Sequence, residues 1–127
     1  MKSYKNLETY KLSHKLAVEI HKMTLTELPK LEMYEEGSQI RRSSKSIVSN
    51  IVEGYGRRRY KKEFIQFLTY SLASCDETKE HLEMLSDTKS LKDRKHFEYL
   101  FGSYEEIGAK ISSFINSVEK GHLVRKS

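Results

Sequence analysis

The chain has 127 residues and a formal net charge of +5, with 32% charged and 37% hydrophobic residues. This length suits one domain with its own core, and this balance excludes an intrinsically disordered chain. The sequence contains one proline. So few prolines favour long uninterrupted helices, because proline removes a donor from the helical hydrogen-bond ladder.

The one cysteine, Cys75, has no partner for an internal disulfide, which fits a reducing compartment. The first residues contain no apolar run of the kind that indicates a secretory signal. No stretch approaches the roughly 18 apolar residues of a membrane span. We therefore expect a soluble cytoplasmic protein that does not bind membranes.

Apolar residues recur at spacings of three and four along four segments, which is the period of an amphipathic helix. Leu28-Pro29 is expected to end the first helix, because the residue before proline disfavours the helical region. Gly54 and Gly56 are expected to end the second, because glycine readily takes the left-handed cap conformation. No segment alternates between apolar and polar residues, so no sheet is predicted. The predicted helices span 8–28, 36–53, 60–86 and 91–119.

Helices of roughly 18–28 residues are about 27–42 Å long at about 1.5 Å per residue. The connections between them are short, which makes successive helices antiparallel neighbours. The sequence therefore predicts an all-α, single-domain, antiparallel up-down-up-down four-helix bundle. Residues 122–127 are expected to fray.

The second predicted helix has an unusual inner face, in which serines accompany the isoleucines. Small residues let two helices approach closely, but they bury less apolar area than leucine does. Two interpretations stay open: a tight helix crossing within one chain, or a crowded contact between subunits. The serines are Ser43, Ser44, Ser46 and Ser49.

Positive charge is concentrated in one window. From Arg41 to Glu63 the chain has eight Lys or Arg and two Glu, a net charge of +6, whereas the rest of the chain sums to −1. Such concentration indicates a directed partner, most simply a polyanion. Tyr55 and Tyr60 are candidates to stack on unpaired bases. The candidate phosphate-binding residues are Arg41, Arg42, Lys45, Arg57, Arg58, Arg59, Lys61 and Lys62.

Three interpretations of this window stay open. The window could serve as a solvated basic face without a partner, as a surface that binds nucleic acid, of which RNA is the favoured kind, or as a docking face for an acidic protein. Cations at the start of the third helix oppose the helix dipole, so local stability does not account for them. About 20–25 Å of helix separates Arg41 from Arg57, so the window is expected to form two clusters.

A series of motifs along the chain carries a family resemblance. They are Leu28-Pro29-x-x-Glu32-x-Tyr34, Gln39-Ile40-Arg41-Arg42-Ser43-Ser44-x-Ser46-Ile47, Asn50-Ile51-Val52-Glu53-Gly54-x-Gly56-Arg57, Phe64-x-x-Phe67-Leu68 and Ser71-x-Ala73-Ser74-x-x-Glu77. With them the chain resembles the proteins encoded in intervening sequences of bacterial 23S rRNA genes, also called four-helix bundle proteins or S23 ribosomal proteins. The family usually has Ala-Ala in place of Ser43-Ser44, a change that leaves the fold alone but bears on subunit packing.

The resemblance implies an antiparallel four-helix bundle that assembles as a homopentamer and has no known enzymatic activity. A structurally similar protein, the accessory variability protein of diversity-generating retroelements, is a basic pentamer that binds nucleic acid and a reverse transcriptase. Six motif residues are expected to serve structure or subunit contact. They are Gln39, Asn50, Glu53, Gly54, Gly56 and Glu77.

Within this set, Glu53 is expected to pair with Arg42 or Arg57. We expect Asn50 and Gln39 to form hydrogen bonds inside the helix crossing or at the turn. Such roles would place these polar residues in the scaffold rather than on a ligand.

The sequence gives no pattern for metal binding or catalysis. Di-iron bundles use Glu-x-x-His pairs in mid-bundle, whereas Asp93-x-x-His96 and Glu119-x-x-His122 lie at the two ends of the last helix. No catalytic triad, phosphate loop or zinc motif is present. We therefore predict a non-enzymatic, oligomeric binding protein without cofactor or metal. Its leading partner is nucleic acid, and the alternative is a scaffold that docks an acidic protein.

Overall fold

A computed structural model describes residues 3–121, which contain helices and no strand. The prediction of an all-α fold is confirmed, whereas the expected fraying of 122–127 lies outside the described residues. The elements are a 3-10 turn at Tyr4–Asn6 and the helices α1 (Glu8–Thr26), α2 (Lys30–Tyr34), α3 (Glu36–Gly56), α4 (Lys61–Asp87) and α5 (Arg94–Glu119).

The four long helices close into a ring in the order α1, α3, α4, α5, with α5 packed back on α1. Contacts between α1 and α5 show the antiparallel arrangement. At the start of α5, His96 Nδ1 lies 2.6 Å from Glu27 Oε2, just past the end of α1. Further along α5, Lys110 Nζ lies 2.6 Å from Glu8 Oε1, at the start of α1. The predicted antiparallel four-helix bundle is thus confirmed.

Each long helix contributes one apolar stripe to a common core. Ile20, Ile47, Leu68 and Ile107, one from each helix, are all 0% exposed. Fully burying such a side chain contributes about 1.5–3 kcal/mol. The spacing of three and four seen in the sequence is therefore the pattern of the core.

The first predicted helix, 8–28, corresponds to α1, and the short α2 after Pro29 is a helix that the sequence did not predict. α1 ends at Thr26, and Pro29 is the N-cap of the short α2, with φ −55°. Proline therefore does more than keep α1 from continuing. Its fixed φ also suits the start of the next helix. α2 packs on α3, and Glu32 accepts a hydrogen bond from Ser90 Oγ at 2.8 Å. That bond ties this corner to the α4–α5 connection.

The predicted end of the second helix was wrong. α3 continues through both glycines, and neither takes the left-handed conformation. A Cβ on Gly54 would lie 3.1 Å from the Cβ of Phe67 and 3.4 Å from the backbone oxygen of Phe64. A Cβ on Gly56 would meet nothing within 4 Å. Gly54 therefore allows α3 and α4 to approach closely, rather than turning the chain.

Candidate nucleic-acid interface

The basic window forms two clusters, as its spacing predicted. α3 runs unbroken between them, and Arg41 and Arg57 are about 24 Å apart along its axis. We call Arg41, Arg42 and Lys45 the α3 cluster. The turn cluster is the connection from α3 to α4 and the first turn of α4, and it consists of Arg57, Arg58, Arg59, Tyr60, Lys61 and Lys62.

In the α3 cluster, Arg41 serves the scaffold. Its side chain is half-buried, and its Nη1 donates a hydrogen bond to Thr24 Oγ1 on α1 at 2.8 Å. This bond ties α1 to α3, which speaks against the predicted phosphate contact of Arg41. Arg42 and Lys45 are exposed, and their side chains form no hydrogen bond or ion pair within residues 3–121.

In the turn cluster, Arg57 is held by two carboxylates. Its Nη2 lies 3.0 Å from Glu53 Oε2, and its Nη1 lies 2.8 Å from Glu63 Oε1. Hydrogen bonds to Glu63 and then Glu53 raise the pKa of Arg57 above its ordinary value. The guanidinium also lies over the ring of Phe67, 5.0 Å from the centroid. The predicted pairing of Glu53 with Arg57 is confirmed, and a phosphate would have to compete with both glutamates for this arginine.

Arg58 packs against Tyr55. Its Nη1 donates to the backbone oxygen of Tyr55 at 2.9 Å, and its guanidinium carbon lies 4.1 Å from the centroid of that ring. Tyr55 is only 5% exposed and packs edge-on against Phe64, with 6.2 Å between ring centroids. The prediction that Tyr55 stacks on bases was therefore wrong, because its ring belongs to the core.

The remaining members of the turn cluster face solvent. Arg59 and Lys62 are exposed, and within the described residues their side chains have no hydrogen-bond or ion-pair partner. Between them lies Tyr60, which is 57% exposed. Lys61 is also exposed, and its Nζ donates to the backbone oxygen of Glu119 at the end of α5. This part of the cluster presents cations and an aromatic ring with little competition from protein groups.

Sequence reasoning missed two lysines that the fold adds to this end of the bundle. The 3-10 turn contacts both α1 and α3, which brings exposed Lys5 to the end where α3 finishes. The bond from Lys61 to Glu119 places exposed Lys120 beside the start of α4. Neither lysine belongs to a charged run, so only the antiparallel topology could have found them.

The four serines that the sequence placed on the inner face of α3, Ser43, Ser44, Ser46 and Ser49, bear on the two interpretations left open by the sequence. Three of the four contribute to the scaffold of their own chain, whereas Ser49 is exposed. Ser44 is buried, and its Oγ donates to the backbone oxygen of Arg41. The structure therefore supports a tight crossing of α3 and α4 within the chain. Its hydrogen bonds join Ser43 to Thr78 at 2.8 Å, Ser46 to Ser74 at 2.9 Å, and Ser71 to the backbone oxygen of Ile47 at 2.8 Å.

The two amide side chains of the motif, Asn50 and Gln39, differ in their hydrogen bonding. Asn50 Nδ2 donates to the backbone oxygen of Ser46 at 2.9 Å and to its Oγ at 3.1 Å, so its bonds stay within α3 instead of crossing to α4 or capping the turn. Gln39 is exposed, and within residues 3–121 its side chain forms no hydrogen bond. The predicted role of Gln39 inside the crossing or at the turn was wrong.

Glu77 takes part in a small hydrogen-bonded cluster in the second half of α4. Its Oε2 lies 3.3 Å from His81 Nε2, and the other ring nitrogen of His81 contacts Glu36 on α3. The predicted structural role of Glu77 is consistent with this placement. The cluster links α4 to the first turn of α3.

In residues 3–121, no group of three or more His, Cys, Asp or Glu side chains is placed to hold a metal ion. Asp93 instead caps α5, where its Oδ1 accepts a hydrogen bond from the backbone N–H of His96 at 3.1 Å. The other pair, Glu119-x-x-His122, includes His122, which lies outside the described residues. Within the same range, no helix has the length and apolar character needed to cross a membrane.

Residues 5–113 match the model of the 23S rRNA-intervening sequence protein family. The chain belongs to this family. A crystal structure from Bacteroides thetaiotaomicron VPI-5482, of a protein with unknown function from the S23 ribosomal protein family, shares the fold with a TM-score of 0.77. The two sequences are 27% identical, and the match covers 85% of this chain and 95% of that chain. Comparison with curated proteins gives no significant match. The family predicted from the motifs is thus confirmed.

Proposed function

We propose that this protein is a non-enzymatic, cytoplasmic nucleic-acid-binding protein that contacts phosphates through its turn cluster. The observation that carries the proposal is the exposure of Arg59, Tyr60 and Lys62 within four consecutive residues, where neither cation has a hydrogen-bond or ion-pair partner among the described residues. Membership of a family named for an intervening sequence of 23S rRNA favours RNA as the nucleic acid.

The proposed chemistry is electrostatic attraction with base stacking. Each phosphate neutralised by a cation releases counterions, so affinity falls as salt rises, with a slope of about −0.7 per contact on single strands. Tyr60 adds a surface on which an unpaired base can stack, worth about 1–3 kcal/mol. Neither contact reads the base edges, so we expect little sequence specificity.

A site with so few cations binds weakly on its own. We therefore propose that the protein acts as a homo-oligomer, because several linked sites on one nucleic acid raise the effective concentration of each. The pentamer implied by the family resemblance remains a prediction.

Fluorescence anisotropy against single-stranded RNA, duplex RNA and duplex DNA, at low and at near-physiological salt, tests the proposal. The informative variant is Arg59→Glu with Lys62→Glu. The matched control is Lys92→Glu with Lys95→Glu, which changes the net charge equally at the opposite end of the bundle, where both lysines are exposed. We expect the first variant to lose at least about tenfold in affinity and to show a shallower salt slope. The control should bind like the wild type.

Equal losses in both variants would mean that net charge alone drives binding, and the turn cluster would then have no special role. Failure of the wild type to bind at low salt would overturn the proposal. The acidic-protein alternative for the same surface would then be the one to pursue.

A further inference from the structure

The outer side of α1 has a stripe of two apolar side chains and two histidines that no other part of the described chain covers. His14, Val18, His21 and Leu25 follow one another at spacings of four, three and four, as in the seam of a coiled coil. Val18 is 43% exposed and Leu25 is 52% exposed. Beside this stripe, a groove of about 250 Å³ opens between α1 and α3. We call the stripe and this opening the α1–α3 groove.

Positive charge borders the α1–α3 groove on both sides. Lys22 lies on the α1 side and Lys45 on the α3 side. The nearest acidic residue in the middle of α1, Glu19, turns away towards α5, where it accepts a hydrogen bond from the hydroxyl of Tyr99 at 3.2 Å. The groove therefore suits a helix that combines apolar residues with carboxylates.

α4 presents a stripe of that composition on its outer side. Tyr70, Ala73, Glu77, Glu80 and Met84 follow one another at spacings of three and four, and all five are exposed. Tyr70 is 47% exposed and Met84 is 45% exposed. We call these five residues the α4 stripe.

More carboxylates lie beside the α4 stripe. Asp76, Glu83 and Asp87 are exposed on the same outer side of the helix. The lysine in this stretch, Lys79, pairs with Asp76, whose Oδ1 lies 3.8 Å from its Nζ, and it also lies 6.0 Å from the centroid of the Phe101 ring. Glu83 and Asp87 have no such cation beside them among the described residues. The stripe thus carries negative charge where the groove carries positive charge.

The two surfaces also match in length and position. The seam from His14 to Leu25 rises about 16 Å, and the stripe from Tyr70 to Met84 rises about 21 Å. α1 and α4 occupy diagonal positions in the ring of helices. Hence one copy can use both surfaces at once, each towards a different neighbour.

From these observations we infer that the α4 stripe of one copy docks into the α1–α3 groove of a second copy. Because the contact joins two different surfaces, it repeats from copy to copy and gives a ring if the rotation closes. This inference deepens the assembly part of the proposed function and holds whether or not RNA binds. It assigns Lys45 to subunit contact rather than to phosphate.

Native mass spectrometry and light scattering of the full chain test the contact. One variant reverses the groove charge, with Lys22→Glu and Lys45→Glu, and another reverses the stripe charge, with Glu77→Lys and Glu80→Lys. Each alone is expected to raise the concentration for half-assembly by at least about tenfold, because like charges then face each other. The chain that carries all four changes should assemble again, since both surfaces are reversed together.

That restoration separates the contact from a folding defect, because a misfolded chain is not rescued by two further substitutions. Far-UV circular dichroism of each variant checks the fold, and Lys92→Glu with Lys95→Glu serves again as the control. A monomeric wild type, or groove and stripe variants that each assemble like the wild type, would overturn the inference. RNA anisotropy on the same samples separates the two proposals, because assembly without RNA binding contradicts only the proposed function.

Discussion

The crossing of α3 and α4 and the turn between them join the same two helices. Polar side chains are hydrogen-bonded to the protein in the crossing, whereas in the turn some of them extend into solvent. In the crossing, Ser71 donates to the backbone oxygen of Ile47 at 2.8 Å, and the neighbouring hydroxyls are similarly bonded. In the turn, Arg59 and Lys62 extend into solvent without a partner among the described residues. A buried polar group without a partner costs about 1–3 kcal/mol, whereas an exposed one costs little. Stability therefore constrains the crossing and leaves the turn available for binding.

The same contrast divides the three consecutive arginines of the turn. Arg57 bridges Glu53 and Glu63, and Arg58 covers the ring of Tyr55. Among the described residues, only Arg59 lacks such contacts. A run of like charges in the sequence is thus not a uniform surface, because the neighbouring carboxylates and rings select which members remain available.

The largest effect expected from this comparison is on stability, from Phe64→Ala. Phe64 is 0% exposed and packs on Tyr55 and Phe114, so truncation should cost about 3–5 kcal/mol. The paired change Tyr60→Ala removes an exposed ring and should alter stability by less than about 0.5 kcal/mol. Urea denaturation measures both. Similar losses would mean that the turn is as tightly built as the core.

The two glycines of the motif sharpen the comparison further. Gly54→Val places atoms against the Cβ of Phe67, which cannot move without its helix, so we expect a loss of about 1–3 kcal/mol. Gly56→Val meets nothing within 4 Å and should be neutral or slightly stabilising. Thermal unfolding of the two variants, compared with the wild type, measures both changes in stability. If both valines were tolerated equally, close approach could not be the role of Gly54.

A smaller effect is expected from the serines. Ser71→Ala removes the hydrogen bond to Ile47 across the crossing and should cost about 0.5–1.5 kcal/mol. The control is Ser49→Ala, because exposed Ser49 bonds only to the backbone oxygen of Ser46 in its own helix. Its removal should change stability by less than about 0.5 kcal/mol. Denaturant midpoints at constant slope compare the pair, and a larger loss from Ser49 would reverse our view of the crossing.

The last prediction concerns the pH dependence of stability, which is expected to change only in alkaline solution. It involves Cys75, which lies on the core stripe of α4. Burial raises the pKa of its thiol from the ordinary value of 9.0 to about 11. Above pH 9 the unfolded chain loses this proton first, so stability should fall as pH rises from 9 towards 11, by at most about 1.4 kcal/mol per pH unit. Cys75→Ala should remove this part of the pH dependence. Identical pH profiles for the two proteins would contradict the raised pKa.

Much of the fold could be predicted, because the apolar period of three and four is a local signal that each helix carries by itself. The element ends were harder to predict. Pro29 is predicted to end a helix, and in the structure it also precedes the first residue of α2. Gly54 is predicted to form a turn, and in the structure it is a point of close approach between α3 and α4. In both cases the residue type was informative, but its meaning depended on what packs against it.

The candidate site was predictable to a lesser degree. Charge in the sequence located the turn cluster and its separation from the α3 cluster. It could not show that Tyr55 is buried beneath Arg58 or that Arg41 bonds to Thr24, because these contacts join residues through the packed bundle. Nor could it join Lys5 and Lys120 to the same end.

By itself, the sequence determined the helical class, the four amphipathic stripes, the concentration of charge and the family. Each of these depends only on residue types and their spacing along the chain. The tertiary structure decided which cations stay available, which serines have partners and which apolar stripes remain uncovered. Those properties depend on neighbours from other helices, and an antiparallel bundle brings together residues that the sequence keeps far apart.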